Sequence, residues 1–404
     1  MGDPRPLLTA EALFRGEPNP LAADYSRFDV TGRCLLTGHS HQAWPDCAAR
    51  GHSEAFADAA TLVDDKWQSA FAKAEQVRCG YRRLLDDPDG DYALGANTHE
   101  LLVRLLSALP LQQRPRIVTT DGEFHSASRQ FRRLAECGIR VDTLPAHPAA
   151  DVGERLAHTV DDQTALVMVS TVFFEDAHIA GGLQALAETC RRRGVALLLD
   201  VYHQLNVLPF SVHTQEFGDA FVVGGGYKYC QLGEGNAFLR LPPACTLRPV
   251  VSGWFAEFAT TTGEAAGDAD GAQRFAGATY DPTSHYRAAR VFQFFRERAL
   301  EPALLRTLSQ LQVTYLAERF DALDLPPGII DRPRDVPLSG LGGFLALVTP
   351  HATGFAAALR RQNIYADARG HRLRLGPAPY VSRRQLDDVV EAIGELAGRP
   401  DALI

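Results

Sequence analysis

Apolar residues recur along this chain with two different periods. Spacings of three and four mark amphipathic helices over 98–109, 126–137 and 183–193, and the short apolar runs between and after them, 116–119, 139–144, 165–169, 196–200 and 220–223, read as strands. Strands that alternate with helices predict βαβ units, and therefore a mostly parallel sheet covered on both faces. Upstream, Arg33–Leu36 reads as a short strand leading into the polar cluster Gly38-His39-Ser40-His41-Gln42, and one amphipathic helical stretch is expected from about Pro45 to Leu85. After Ser284 the pattern changes. Two long helices are expected between 286 and 319, followed by strands over 343–349 and 372–375 and helices over 355–361 and 385–396. That second part predicts a compact α+β unit, and the Gly/Ala/Asp-rich stretch Thr261–Ala272 reads as a mobile loop.

With 404 residues the chain exceeds what one hydrophobic core usually holds. The expected division is an N-terminal segment, 1–60, packing with the small domain, a large α/β domain over 61–285, and a small C-terminal α+β domain over 286–404. Hydrophobic residues make up 46% and charged residues 22%, which places the chain among ordinary globular proteins. The net charge of -8 is spread out, so no basic stripe exists to neutralise a phosphate backbone, and a nucleic-acid partner is not expected. No apolar run approaches the roughly 20 residues of a membrane helix, and Met1-Gly2-Asp3-Pro4-Arg5 lacks a signal-peptide core. The expectation is a cytoplasmic chain without membrane contact. Seven scattered cysteines, with no C-x-x-C pair and no neighbouring His pattern, argue against a disulfide framework or a zinc site.

The chemistry concentrates after two strands. Leu198-Leu199-Asp200 ends one in an acid, with His203 three residues on, and ligands in open parallel sheets sit at the carboxyl ends of strands. The next strand delivers Gly224-Gly225-Gly226-Tyr227-Lys228-Tyr229, where glycines let the backbone approach closely and a lysine stands between tyrosines. A lysine partly removed from water loses its proton more readily and becomes an imine-forming nucleophile. Taken singly, a strand-terminal Asp is usually a turn residue and a loop Lys is usually solvated; the combination at this spacing is what carries weight.

Leu198-Leu199-Asp200-Val201-Tyr202-His203 followed by Gly226-Tyr227-Lys228-Tyr229 resembles the pyridoxal 5'-phosphate (PLP) site of class V aminotransferase-like enzymes, and the Tyr-Lys-Tyr form is most similar to kynureninase. The resemblance covers about Leu35 to Tyr380. It implies the aspartate aminotransferase-like PLP-dependent transferase fold, with a mostly parallel seven-stranded sheet in the large domain. It also implies a role for each matching residue. Lys228 would hold the cofactor as an aldimine and shuttle the Cα proton, with a quinonoid stabilised by Asp200 at the pyridine nitrogen. His203 would support Asp200 or the phosphate. Asn97 and Thr98, at the start of a helix, and Tyr227 would bind the phosphate, although Thr98 also reads as a plain helix cap. Phe124 would stack on the cofactor or, alternatively, serve as a core aromatic. Arg374, with Arg372 and Arg369 as rivals, would clamp the substrate α-carboxylate. Trp254 and Thr279, in Gly253-Trp254-Phe255 and Gly277–Pro282, match segments that cross a dimer interface in the family, so a homodimer acting on a small-molecule amino acid is implied.

Three positions depart from kynureninase. His39-Ser40-His41-Gln42 replaces an Asn-Ser-Leu-Gly segment, Ala127 replaces an Asp, and Asp281 replaces the Asn or Thr before Pro282. His39 and His41 are expected at the active-site mouth, as acid–base groups, as contacts for a polar substrate tail together with Ser40, or as solvated loop residues. Asp281 reads as a substrate contact or as a helix cap. The function implied is kynureninase-like hydrolytic Cβ–Cγ cleavage or β-elimination on an L-amino acid, with a class V aminotransferase as the alternative. Cysteine desulfurase and a non-catalytic binding protein are weaker readings, because the last cysteine is Cys245 and because Lys228, Asp200 and Arg374 occur together.

Overall fold

The computed structural model describes residues 8–257, 269–399 and 403; most of the expected mobile loop, 261–268, lies outside them. The chain begins with helix α1 (Ala10–Arg15) and strand β1 (Cys34–Leu35), then α2 (Cys47–Leu62) and α3 (Lys66–Leu84). The α/β part follows: β2 (Asp91–Gly95), α4 (Thr98–Ala108), β3 (Arg116–Thr120), α5 (His125–Glu136), β4 (Arg140–Leu144), α6 (Val152–Thr159), β5 (Thr164–Ser170), α7 (Leu183–Arg193), β6 (Ala196–Asp200), β7 (Phe221–Gly225) and β8 (Ala237–Leu241). The last part holds α8 (Thr283–Glu297), α9 (Pro302–Asp321), β9 (Leu345–Val348), α10 (Ala352–Arg361), β10 (Ile364–Tyr365), β11 (Asp367–Arg369), β12 (Arg372–Leu375) and α11 (Arg383–Ala397).

The central sheet has seven strands in the order β2-β8-β7-β6-β5-β3-β4. Only β8 runs against the rest: it pairs antiparallel with both β2 and β7, while β7-β6-β5-β3-β4 are parallel throughout. Alternation along the strands feeds two cores. Val167, Val169, Leu197 and Leu199 pack on one face with Leu156, Leu183 and Leu186 of α6 and α7. Leu166, Met168 and Leu198 pack on the other with Leu101, Leu105 and Phe131 of α4 and α5. Because β2, β3, β5, β6 and β7 point the same way, Gly95, Thr120, Ser170, Asp200 and Gly225 all end on one edge of the sheet.

The C-terminal part forms a small antiparallel sheet, β11-β12-β9, with α10 packed on it and α11 packed on α10, while β1 of the N-terminal segment pairs parallel with β10 in a separate two-stranded sheet. The single helix expected from 45 to 85 is two helices. A 3-10 turn at Val63–Asp65 separates them, and Val63 takes a positive φ of 53°. Leu62 and Val63 are exposed, so no packing carries the first helix further, and Asp64 and Asp65 favour the start of a new helix over the interior of an old one. Helix α8 then packs against both α2 and α3. No helix among the described residues is long and apolar enough to cross a membrane.

Candidate active site

The site forms where β6 and β7 leave the sheet. Lys228 lies three residues beyond β7 and is 7% exposed, and its Nζ sits 2.5 Å from Nε2 of His203. The chain reaches this arrangement because Gly225 carries no side chain: a Cβ there would meet the Tyr202 hydroxyl at 2.5 Å. Burial pushes the Lys228 amine down to about 7, against the pull of Asp200, and the positive charges of Arg374 and Arg369 act in the same direction as burial. Rings surround it: Nζ lies 5.6 Å from the centre of Phe124, 5.0 Å from Tyr202 and 5.6 Å from Tyr227. His203 is neutral at ordinary pH, held well below its usual value by burial first and by Lys228 second, and its Nδ1 has no hydrogen-bond partner.

Asp200 closes β6. Burial pushes its carboxyl up to about 6, while the Tyr202 backbone N–H, donating to Oδ1 at 2.9 Å, and the Lys228 charge pull the other way. A carboxyl so raised lacks a full counter-charge. A second buried carboxyl lies close by, and sequence reasoning missed it. Glu123 is buried beneath the loop after β3, where it accepts from Thr120 Oγ1 at 2.7 Å, Ser170 Oγ at 2.6 Å and Ser170 N at 3.1 Å. Ser170 is the direct neighbour of Asp200 across β5 and β6. Burial first, and the Asp200 charge in smaller part, push Glu123 up to about 7 against the pull of its hydrogen bonds from Ser170 and Thr120.

Arg374, on β12, is buried above this floor. Its guanidinium pairs with Asp367 of β11, donates to the Phe174 carbonyl, and lies 5.6 Å from the centre of the Phe344 ring; its Nε has no partner. Asp367 is the second residue that sequence reasoning did not single out. The signal available for it was its register, opposite Arg374 in a tight β11–β12 pair. Arg372 does not join Arg374: it points to Asp176, 3.6 Å away, and stays partly exposed. Arg369 is exposed and lies 3.8 Å from Asp367.

The two histidines expected at the mouth separate. His39 is 0% exposed, packed 4.5 Å from the Phe344 ring with Nε2 3.4 Å from Asp367 Oδ2, in space that exists because residue 376 is glycine. Burial pushes it down to about 4, against the pull of Asp367, so it is a neutral group behind Arg374 and not a solvent-facing one. His41 does face solvent, stacked on Tyr227 at 4.8 Å and 18°, with Ser40 Oγ 3.1 Å from its Nδ1.

The other expected positions divide in the same way. Asn97 caps α4, its Oδ1 accepting from Glu100 N at 2.9 Å, and Thr98 opens that helix, so the capping role belongs to Asn97. Both follow β2 at the sheet edge that carries Asp200 and Lys228. Trp254 Nε1 donates to Thr279 Oγ1 at 3.2 Å. Thr279 and Asp281 line a cavity of about 900 Å³ together with Gly95, Ala96 and Arg104, a space whose walls include neither Lys228 nor Asp200 nor His203. Asp281 Oδ1 accepts from Thr283 N at 2.9 Å and Thr283 Oγ1 at 2.6 Å, which commits that oxygen to the start of α8.

No protein-family model matches the chain. It is 23% identical over 363 residues, 89% of this chain and 93% of the other, to the uncharacterized aminotransferase YcbU of Bacillus subtilis (strain 168). Among solved structures it resembles C-DES bearing glycine covalently linked to its PLP cofactor, with a TM-score of 0.81 at 16% identity over 93% of this chain and 99% of that one. The chain has the PLP-dependent transferase fold. A cysteine desulfurase from Thermococcus onnurineus NA1 shares that fold at a TM-score of 0.77 and 17% identity, over 94% of this chain and 98% of that one. The Escherichia coli cysteine desulfurase CsdA does so at 0.74 and 16%, over 94% and 98%.

Proposed function

We propose that this protein is a PLP-dependent enzyme that cleaves the side chain of an L-amino acid, by β-elimination or by kynureninase-like hydrolysis of a Cβ–Cγ bond. The observation that carries the reading is the buried Lys228 amine, pushed down to about 7 and therefore largely neutral in mildly alkaline water, with Asp200 at the end of the neighbouring strand. When bound, PLP supplies an aldehyde that condenses with amines and a ring that takes up electrons freed at Cα.

The residues fit that group. Asp200, raised for want of a counter-charge, suits a protonated ring nitrogen; Phe124 offers a flat face; the unpartnered His203 Nδ1 and the Lys228 amine leave polar positions for it to fill. Lys228 Nζ is the group that takes and returns a proton, since its value lies near neutrality, where a base works best. Arg374 orients the substrate carboxylate through its unpartnered Nε.

Cleavage is favoured over transamination because C-DES is described as a cystine C–S lyase in complex with cysteine persulfide. Desulfuration through a protein persulfide is disfavoured. Cys230, two residues from Lys228, is buried and its thiol is pushed far up by burial, which makes it inert as a nucleophile. Transamination is the second reading, supported by the Bacillus subtilis relative. A homodimer goes with the proposal: Trp254 is 50% and Val250 85% exposed on one short segment, and light scattering of the holoprotein tests it.

The deciding experiment is a product screen of the holoenzyme with aryl-, acyl- and thio-substituted alanines. Pyruvate or alanine released without an acceptor keto acid supports cleavage; stoichiometric keto acid with a pyridoxamine spectrum supports transamination. A purified protein with no near-visible band, and none lost to borohydride, would overturn both.

A further inference from the structure

Outside the Lys228 site, His147, Asp176 and His178 turn one nitrogen or oxygen each towards a common point, with those atoms all within 4.8 Å of one another. His147 stands in the loop after β4, Asp176 and His178 in the loop after β5. His147 Nε2 lies 3.0 Å from Asp176 Oδ2, and His178 Nδ1 lies 4.0 Å from the same oxygen. The two imidazoles meet edge to face, 5.0 Å apart at 90°.

Two further observations point to a ligand. His178 is buried and its inward Nδ1 has no hydrogen-bond partner, an expensive state for a polar atom that an ion would relieve. Its other nitrogen, Nε2, faces Asp335 Oδ1 at 3.9 Å. A carboxylate behind the second nitrogen is the usual way a metal-binding histidine is oriented. The loop is also fixed: Ala177 N donates to Phe173 O at 3.0 Å, His178 N to Asp176 Oδ1 at 3.2 Å, and Gly342 N to Ala177 O at 2.7 Å.

We propose that His147, Asp176 and His178 bind a divalent transition-metal ion of the Zn²⁺ class, with the remaining coordination open to water on the half-exposed His147 side. Two imidazoles and one carboxylate select that class over Mg²⁺ or Ca²⁺, which prefer all-oxygen sets. Tetrahedral ligands at about 2.0–2.1 Å from zinc stand roughly 3.4 Å apart, so His147 and Asp176, 3.0 Å apart, need almost no movement, and His178 Nδ1, 4.0 Å from the same oxygen, is the atom that must draw in. Arg372, whose guanidinium lies 3.6 Å from Asp176 Oδ2, competes for the carboxylate and swings to solvent when the ion binds. The cysteines take no part, which is why cysteine spacing gave no sign of the site. The ion would brace the segment whose Phe174 carbonyl holds Arg374 and whose Phe174 ring packs edge-on against Phe124 at 5.5 Å.

The test is Zn²⁺ titration of the tag-free holoprotein by calorimetry, with the visible spectrum of Co²⁺ in its place as a second readout. One ion per chain is expected. His147→Ala and His178→Ala should each weaken binding at least 10-fold, Asp335→Asn should weaken it less, and Arg372→Ala should strengthen it. Thermal unfolding in chelator, equal for all four variants and the parent, shows that they fold. No binding by the parent, or binding that survives loss of both histidines, overturns the proposal, and neither result bears on the Lys228 chemistry.

Discussion

Lys228 Nζ and His203 Nε2 approach to 2.5 Å inside a buried pocket, and His203 stays neutral there. A neutral imidazole leaves the cost of burying the lysine charge largely unrelieved, so the amine falls from its ordinary 10.5 to about 7. Between those values the unfolded chain holds a proton that the native chain lacks. Stability of the cofactor-free protein therefore rises with pH across that window, and below about 7 the full cost of a buried ammonium is present.

Lys228→Met is accordingly expected to stabilise the cofactor-free protein most below pH 7, with the gain fading toward pH 10. Thermal unfolding of parent and variant across that range checks it, and equal melting temperatures at pH 6 would contradict the account.

Asp200→Asn keeps the shape of the side chain but removes its charge. Turnover should fall about 100-fold, or roughly 2.7 kcal/mol of barrier, while the borohydride-reducible band persists. Loss of the band together with activity would mean that Asp200 acts in cofactor retention and not in the reaction.

Arg374 already pairs with Asp367, so a substrate carboxylate must join or displace that partner. Arg374→Lys loses the planar fork and should raise KM about 10–100-fold, with a smaller change in kcat. Asp367→Asn leaves the guanidinium buried without its counter-charge and should cost about 3 kcal/mol of stability. A carboxylate ligand should restore more melting temperature to that variant than it adds to the parent; equal shifts would remove Arg374 from substrate binding.

Glu123 is pushed up from 4.5 to about 7, chiefly by burial. The native chain holds a proton there that the unfolded chain gives up, so its contribution is complete below pH 4.5 and lost as pH rises through 7. Glu123→Gln should flatten that dependence and gain stability above pH 7. Glu123→Ala strands the Ser170 N–H and hydroxyl and should cost about 2 kcal/mol; chemical denaturation at two pH values separates the cases.

The interior strands were legible because they are buried on both faces. Val167-Met168-Val169 and Leu197-Leu198-Leu199 carry no polar residue to blur the run. Strand β8 escaped because Arg240 stands in its middle; that arginine is 2% exposed and satisfied by Asp87, Gly218 O and Ala220 O, partners no local pattern reveals. Strand β2, with Asp91 and Gly95 at its ends, and the short α6, with Gly153 near its start, gave too little contrast. In the site, Lys228, Asp200 and His203 were readable from spacing. Glu123 and Asp367 were not, since their meaning lies in contacts across strands: Glu123 with Ser170, and Asp367 with both Arg374 and His39.

The two-residue ladder between β1 and β10, Cys34 beside Ile364 and Leu35 beside Tyr365, ties together parts of the chain separated by most of its length. On a ribosome the first of these segments emerges long before the second exists. His39, a few residues past β1 and packed against Phe344 and Asp367, then waits with it. The pocket behind Arg374 can therefore close only when translation is nearly finished, and until then the nascent chain presents an unfinished N-terminal segment to chaperones.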